Sequence, residues 1–237
     1  MTRHTARRPA SYVEGRVAGL GAVTVAYERQ GDGEPLVLLH GVGDDRRVWG
    51  AVVPLLTGRE TIALDLPGFG ESPDLDPAVP WDLEAAVAWM GALFGGLGVE
   101  RPHVAGHSLG GLIALRLGQA GLARSVTALA PAGFWTGAER RYAYAVLAMS
   151  RQSAAAKAAL RAGRAPVLFS GDVPGVPVTV AWGTRDRLLP PRQAARVKAA
   201  IPGARLVPLP GCGHVPMADA PGLVARVLRD ATGAAPG

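Results

Sequence analysis

One short stretch, RPHVAGHSLGGLIALRLGQAG at residues 101–121, limits what this chain can fold into more than any other. An apolar run leads to Ser108, and Gly106 and Gly110 flank that serine in the pattern G-x-S-x-G before a second apolar run begins. This pattern is typical of a nucleophile elbow, in which a buried strand turns so sharply into a helix that the serine is held in a strained conformation. The glycines are required because a β-carbon at either position would collide with the turn. The stretch therefore predicts a strand, a tight turn and a helix, with an exposed hydroxyl at the helix N-terminus.

The motif needs partners, because the chain holds 32 glycines and short patterns of this kind also arise by chance. Hydrolases with this elbow place an acid and then a histidine after the serine in the chain. Asp186 in VTVAWGTRDRLLP and His214 in LPGCGHVPMADAP lie downstream in that order. Asp65 is a competing acid at the end of an expected strand, but it precedes Ser108. The sequence therefore favours Asp186 as the acid.

Four separated motifs give the chain a family resemblance. They are LLHGVG at 38–43, DLPGFGES at 65–72, GHSLGG at 106–111, and the pair WGTRD and GCGH around Asp186 and His214. Together they resemble the α/β-hydrolase superfamily, close to its carboxylesterase-like and haloperoxidase-like branch. The resemblance covers the chain from about residue 35 onward and implies an α/β-hydrolase fold, with a mostly parallel central sheet, helices on both faces and a short helical lid.

The resemblance also implies roles for individual residues. Ser108, Asp186 and His214 match the catalytic triad, as nucleophile, acid and base. Val42 and Leu109, the residues after the HG pair and after the nucleophile, match the two backbone N–H donors of the oxyanion hole.

Three further residues are expected to contact substrate. Gly41 lies at the carboxyl end of a buried strand, where open α/β sheets bind their ligands. Trp135 and Tyr142 belong to a set of aromatic residues that would line or roof the acyl pocket, with packing against the core as an equally open alternative.

The length of 237 residues suits one domain with a sizeable core. We expect residues 1–10 to form a mobile N-terminal tail. Residues 11–131 and 176–232 would form the hydrolase core, and 132–175 a reduced lid insertion. Superfamily lids normally contain several helices, whereas this segment has room for one or two, so the shape of the pocket is left open.

Hydrophobic periodicity and turn residues predict the elements that carry these motifs. A hairpin spans 12–28, and strands span 35–40, 60–64, 125–130, 177–182 and 205–209. Helices are expected at 46–56, 81–97, 109–117, 138–161, 191–201 and 221–229.

Composition narrows the function classes. The net charge is +6, but the arginines are scattered without a basic stripe interleaved with aromatics, which disfavours nucleic-acid binding. The lone cysteine, Cys212, excludes an internal disulfide and a cysteine-based metal site. The histidines show no metal-ligand spacing, so we expect no metal and no cofactor. There is no signal-peptide pattern and no apolar stretch of about 18 residues, so we expect a cytoplasmic protein without membrane attachment.

The function that follows is hydrolysis of short-chain carboxylic esters through an acyl-enzyme, with a small-molecule ester as the partner and a monomer or homodimer as the assembly. Haloalkane dehalogenases and epoxide hydrolases use aspartate at the elbow, so Ser108 disfavours both. A carbon-carbon bond hydrolase or a cofactor-free perhydrolase would keep the same triad. A hydrolase-like ligand receptor with little turnover is an alternative from another class.

Overall fold

An eight-stranded sheet organises the chain in this computed structural model, which describes residues 10–75, 82–149 and 168–233. The strands are β1 (Ser11–Val17), β2 (Gly21–Gln30), β3 (Glu34–Leu39), β4 (Arg59–Leu64), β5 (His103–His107), β6 (Ser125–Leu129), β7 (Val178–Gly183) and β8 (Arg205–Leu209). The helices are α1 (Leu83–Gly96), α2 (Leu109–Gln119), α3 (Gly137–Met149), α4 (Ala194–Ala200), α5 (Pro216–Asp219) and α6 (Pro221–Thr232).

The sheet order β1-β2-β4-β3-β5-β6-β7-β8 separates an antiparallel edge from a parallel centre. β1 pairs with β2 and β2 with β4 in antiparallel register. The pairs from β4 through β3, β5, β6 and β7 to β8 are all parallel. The predicted fold class is confirmed, and so is the hairpin at the sheet edge.

The central strands are buried on both faces, which explains their continuous apolar runs. In β3, Val37 and Leu39 face the hydrophobic cluster that includes helices α1 and α2, while Leu36 and Leu38 face the cluster that includes α6. All four are at most 1% exposed. The two faces of β3 therefore contribute to two different hydrophobic clusters.

Most predicted elements are present with small shifts at their ends, but the helix expected at 46–56 is wrong. The structure has two short 3₁₀ turns there, Arg46–Trp49 and Val53–Leu55. Pro54 cannot donate to a helical ladder, and Gly50 weakens one, so a continuous α-helix is disfavoured. The Asp45 side chain accepts a hydrogen bond from the Arg47 N–H and starts the first turn.

Two other predicted helices differ in extent. The helix expected at 191–201 begins as a 3₁₀ turn, Pro191–Gln193, and becomes regular only in α4. The helix expected at 138–161 is seen as α3, and its second half falls in 150–167, outside the described residues. Residues 1–9 of the expected tail also lie outside them, so the tail and the extent of the lid stay predictions.

The parallel strands deliver their following loops to one edge of the sheet. The loops after β3, β5, β7 and β8 carry Val42, Ser108, Asp186 and His214 in turn. Because β3 and β5 are direct neighbours, the first two loops lie side by side. Among the described residues, the helices lack the length and the apolar character needed to span a lipid bilayer.

Candidate active site

Ser108 occupies the tip of the strand-turn-helix predicted from the sequence. Its backbone has φ 52° and ψ −110°, a conformation that a non-glycine residue rarely adopts. Three backbone hydrogen bonds hold it: the Ser108 N–H donates to Leu129 O at 3.0 Å, and Ser108 O accepts from Ala132 N at 3.0 Å and Leu112 N at 3.1 Å. The hydroxyl makes no capping bond to α2. The neighbouring strand β6 thus supports the strain while the hydroxyl stays uncommitted to the helix.

The two glycines of the motif are there for steric reasons, as predicted. A β-carbon on Gly106 would lie 2.1 Å from Gly110 O, and one on Gly110 would lie 2.5 Å from His40 O. Both distances are far below any real carbon contact, and the atoms met are backbone atoms that cannot turn aside. The turn can be this tight only without those side chains.

Asp186 and His214 are brought together although 28 positions separate them. Asp186 Oδ2 lies 2.8 Å from His214 Nδ1. The other carboxylate oxygen, Oδ1, accepts from the Leu188 and Leu189 N–H groups at 2.9 and 2.8 Å. A carboxylate only accepts, so Nδ1 donates the hydrogen, and in the neutral form of the ring Nε2 then has the lone pair. This is the tautomer that a general base requires.

Close contact between two loops makes that pairing possible. A β-carbon on Gly183 would lie 2.2 Å from Gly213 O, so the loops after β7 and β8 touch through their backbones. The Arg185 N–H donates to Cys212 O at 2.8 Å and links the same loops. Nothing in the local sequence pattern pointed to Gly183, because the partner is far along the chain.

His107, the residue before the nucleophile, connects the elbow to the histidine loop. Its Nε2 lies 2.7 Å from the main-chain oxygen of His214, and the two ring centroids are 4.8 Å apart. Within the described ranges, Ser108 forms no side-chain hydrogen bond to His214. Catalytic hydrogen bonds are often long in unliganded enzymes and tighten when substrate binds. The site therefore has a formed Asp–His pair and a serine held beside it by its neighbour.

The loop after β3 lies against the nucleophile. A β-carbon on Gly41 would come within 3.1 Å of the Ser108 β-carbon, so a larger residue there would have to displace its neighbours by a few tenths of an ångström. Among the described residues, no acceptor takes a hydrogen bond from the Val42 or Leu109 N–H. Both N–H groups are thus without an acceptor among the described residues, and their role as oxyanion donors stays a prediction.

His40 fixes the base of the same loop. Its Nδ1 lies 2.7 Å from Gly41 O, and its Nε2 accepts from the Leu66 N–H at 2.9 Å. Burial lowers the pKa of this imidazole, the first cause of its shift, and keeps it neutral. The histidine of the HG pair therefore has a structural role, joining the loops after β3 and β4.

Asp65, the competing acid, is engaged elsewhere. It is fully buried, and its Oδ1 accepts from the Arg46 N–H at 2.6 Å while Oδ2 pairs with the Arg46 guanidinium. Arg46 also lies 3.0 Å from Glu28 and 3.2 Å from Glu71. The structure gives the histidine partner to Asp186 and a guanidinium partner to Asp65.

The aromatic residues proposed for the pocket fall into different environments. Phe134 is buried against Phe169, with ring centroids 5.3 Å apart. Trp135 is half-buried and lies 5.8 Å from the ring of Tyr144. Tyr142 is 53% exposed on α3. Roles of Trp135, Tyr142 and Gly41 in substrate binding stay predictions.

The carboxylate of Glu139, a residue that the sequence analysis does not name, holds the start of α3 in place. Thr136 and Glu139 form a reciprocal capping box, in which each side chain accepts from the other residue's N–H. The buried Glu139 carboxylate also accepts from Arg192 Nε at 2.7 Å and pairs with Arg196. The pattern T-x-x-E was the signal that could have revealed the cap. The first turn of α3 is thereby fixed to the segment that follows Asp186.

Cys212 lies in the histidine loop but is buried, with its Sγ 3.7 Å from Pro210 O. Burial raises the pKa of its thiol, the first cause of the shift, so the reactive thiolate is disfavoured. A packing role fits this environment better than nucleophilic chemistry.

A strained serine at the sheet edge, in the loop beside an Asp–His pair, is an arrangement typical of hydrolases. Comparison with known proteins gives the family. The model of the alpha/beta hydrolase family matches residues 36–227. The chain therefore belongs to the alpha/beta hydrolase family.

Three individual similarities add detail. A pimeloyl-[acyl-carrier protein] methyl ester esterase from Aeromonas hydrophila subsp. hydrophila is 41% identical over 99 residues, which are 40% of this chain and 36% of that protein. An uncharacterized protein of Mycobacterium tuberculosis is 28% identical over 255 aligned positions, covering 83% of this chain and 74% of the relative. The structure of a thermophilic esterase from Thermogutta terrifontis superposes with a TM-score of 0.74 at 21% identity, covering 94% of this chain and 97% of that one. The match to the first relative spans only about a third of its length, and the last similarity shows the fold alone.

Proposed function

We propose that the protein is a carboxylesterase-type serine hydrolase that cleaves esters of short acyl chains through an acyl-enzyme on Ser108. The observation that carries the proposal is the 2.8 Å hydrogen bond between Asp186 and His214, in the loops next to a strained serine at the same sheet edge. Esterase relatives support the ester bond as the target, since one of them is named for a methyl ester.

The chemistry follows from the state of each group. Serine is a poor nucleophile until a base takes its proton, and His214 Nε2 has the free lone pair to do so. Ser108 Oγ then bonds to the ester carbonyl carbon, and the negative charge moves to the carbonyl oxygen beside the Val42 and Leu109 N–H groups. Collapse of this intermediate breaks the bond to the alcohol, which leaves with the proton from His214.

Water completes the cycle by the same route. His214 takes a proton from water as it attacks the acyl carbon, and returns that proton to Ser108 as the acid is released. Asp186, fixed by two backbone donors, holds the imidazole in orientation and stabilises its cationic form. Each step balances with water as the only co-reactant.

The preference for short acyl groups rests on the size of the segment between β6 and β7. The described part of this segment contains one helix, α3. Phe134 and Phe169, which lie in the segment but outside α3, pack into the core. Each CH₂ buried in a deep tunnel would contribute about 0.8 kcal/mol to binding. A small lid offers little apolar surface against which methylene groups could be buried. Acyl groups from acetyl to about hexanoyl should therefore be preferred.

The test is kcat/KM for a series of p-nitrophenyl esters, with Ser108→Ala as the matched control and with or without emulsified lipid. We expect rates that depend on Ser108 and are highest for the short acyl groups. The rate should not increase when emulsified lipid is added, because activation at a lipid interface needs a large mobile lid. A steady climb beyond decanoyl would contradict the chain-length proposal. Turnover that survives in Ser108→Ala would contradict the mechanism.

A further inference from the structure

His107 combines features that the mechanism above does not use. It ends β5, directly before Ser108, and is 2% exposed. Its ring is tilted by 54° against the ring of His214, with centroids 4.8 Å apart. Its Nε2 lies 2.7 Å from the main-chain oxygen of His214. The buried His107 side chain thus contacts the main chain of the proposed base, and the main chain of His107 continues directly into Ser108.

The direction of this hydrogen bond follows from the acceptor. A carbonyl oxygen cannot donate, so Nε2 carries the hydrogen and Nδ1 keeps a lone pair. Within the described part of the chain Nδ1 has no hydrogen-bond partner, and a β-carbon on Gly41 would lie 3.0 Å from it. The ring therefore donates to the histidine loop on one side and faces the Gly41 loop on the other.

The charge state of His107 is also fixed by its surroundings. Burial, and secondly the nearby charge of His214, hold the pKa of His107 well below its ordinary value. A neutral ring donates a single hydrogen bond and adds no positive charge beside His214, which itself becomes cationic during acyl transfer. The environment suits a group that holds geometry and exchanges no proton.

We propose that His107 is a positioning residue, whose Nε2–H holds the main chain of His214 at the distance and angle from Ser108 that proton transfer requires. The inference rests on the proposed function, since it assigns the residue that aligns the two reacting side chains. Misplacement of a catalytic group by about 1 Å can cost on the order of 100-fold in rate. A bond between the residue before the nucleophile and the backbone of the base controls that displacement.

His103 provides a matched control on the same strand. It lies at the opposite end of β5, is also buried, and has both ring nitrogens engaged, with Ser125 Oγ at 2.7 Å and Glu34 Oε2 at 3.2 Å. The same substitution at His103 disturbs β5 without touching the candidate site.

The experiment compares His107→Gln with His107→Asn, and His103→Gln with His103→Asn. Glutamine and asparagine carry the same amide, but only glutamine extends to the position of Nε2. We expect His107→Asn to lower kcat and kcat/KM together, by about 10- to 100-fold, with KM nearly unchanged, because the lost interaction serves the transition state. His107→Gln should recover most of that loss, and both His103 variants should keep the wild-type kcat. Melting temperatures establish that folded enzyme is compared.

Two results would overturn the inference. One is wild-type kcat in His107→Asn, and the other is an equal loss in the Gln and Asn variants, which would mean that the ring shape matters and the donor does not. Should the Asn variant fold poorly, His107→Met fills the space without a donor and gives the same comparison with Gln. Failure of the proposed function has a different signature, because then the wild type itself would lack Ser108-dependent turnover.

Discussion

Asp65 and Asp186 are two carboxylates in equivalent places with different partners. Each follows a parallel strand of the sheet, and each is at most 4% exposed. Asp65 pairs with the guanidinium of Arg46, whereas Asp186 accepts from the imidazole of His214. Both also accept backbone N–H groups, at Arg46 and Glu71 for the first and at Leu188 and Leu189 for the second.

For these two carboxylates, the charged partner decides the role more than burial or position in the sheet does. A guanidinium keeps its charge at all working pH values, so the Asp65 pair is a fixed structural link. An imidazole is a group that can act as a general acid or base, so the Asp186 pair is suited to proton transfer. Exchanging each aspartate for asparagine separates the two roles.

The largest effect is expected from Asp186→Asn. An amide in place of Oδ2 presents the wrong hydrogen-bonding group to His214 Nδ1–H and favours the other tautomer. The same Asp-to-Asn change in the catalytic triad of a serine protease lowers kcat by a factor of about 10⁴. We expect a loss of that order in ester hydrolysis with little change in melting temperature. A greater loss of kcat in Asp65→Asn would mean that the acid has been misassigned.

Asp65→Asn should lower the free energy of unfolding and leave kcat nearly unchanged. The change leaves the buried guanidinium of Arg46 without its main counterion, and removing one partner of a buried ion pair typically costs about 3–5 kcal/mol. Urea unfolding measures this loss, with kcat per folded molecule close to that of the wild type. The double variant with Arg46→Met should recover part of the stability, because no buried charge then lacks its partner. No recovery would contradict the pairing.

The adjacent residues Asp44 and Asp45 repeat the contrast on a smaller scale. Burial, and then the charge of Asp45, raise the pKa of Asp44, whereas a hydrogen bond from Arg47 lowers the pKa of Asp45. For Asp44, stability is lost as pH rises through the unfolded-state value of about 3.9 to the raised folded value. For Asp45, stability is present above about 3.9 and is lost as pH falls through the lowered folded value.

We therefore expect opposite effects of the two Asn substitutions at pH 7. Asp44→Asn should raise the free energy of unfolding, because it removes a charge that the fold disfavours, and Asp45→Asn should lower it. Both differences should shrink as the pH falls toward and below about 3.9, because the carboxyl groups of the unfolded chain bind protons in that range. Urea unfolding of the two variants at several pH values provides the measurement. Equal signs at pH 7 would show that the guanidinium is not the deciding partner.

Local sequence patterns were sufficient for the features that depend on neighbouring residues. The β8 strand was predicted with its observed bounds, and the steric role of Gly106 and Gly110 follows from the turn itself. Side-chain alternation and the G-x-S-x-G spacing each involve only a few consecutive residues, so both can be recognised in a single sequence.

Contacts between distant loops could not be predicted in this way. The approach of Gly183 to Gly213, the link from His107 to His214 and the Arg46–Asp65 pair each join segments that only the folded sheet brings together. The error at 46–56 has a different origin, because Gly50 and Pro54 are local signals against a continuous helix that a prediction from hydrophobic periodicity alone does not take into account.

Site mapping of a fluorophosphonate label tests whether Ser108 is a nucleophile activated by His214. The reagent phosphonylates a serine only when a base activates it, so labelling reports Ser108 and His214 together. We predict one phosphonyl group on the peptide containing Ser108, its loss in Ser108→Ala, and slow labelling in Asp186→Asn. Equal labelling of the wild type and Ser108→Ala, or a label on any other residue, would contradict the account.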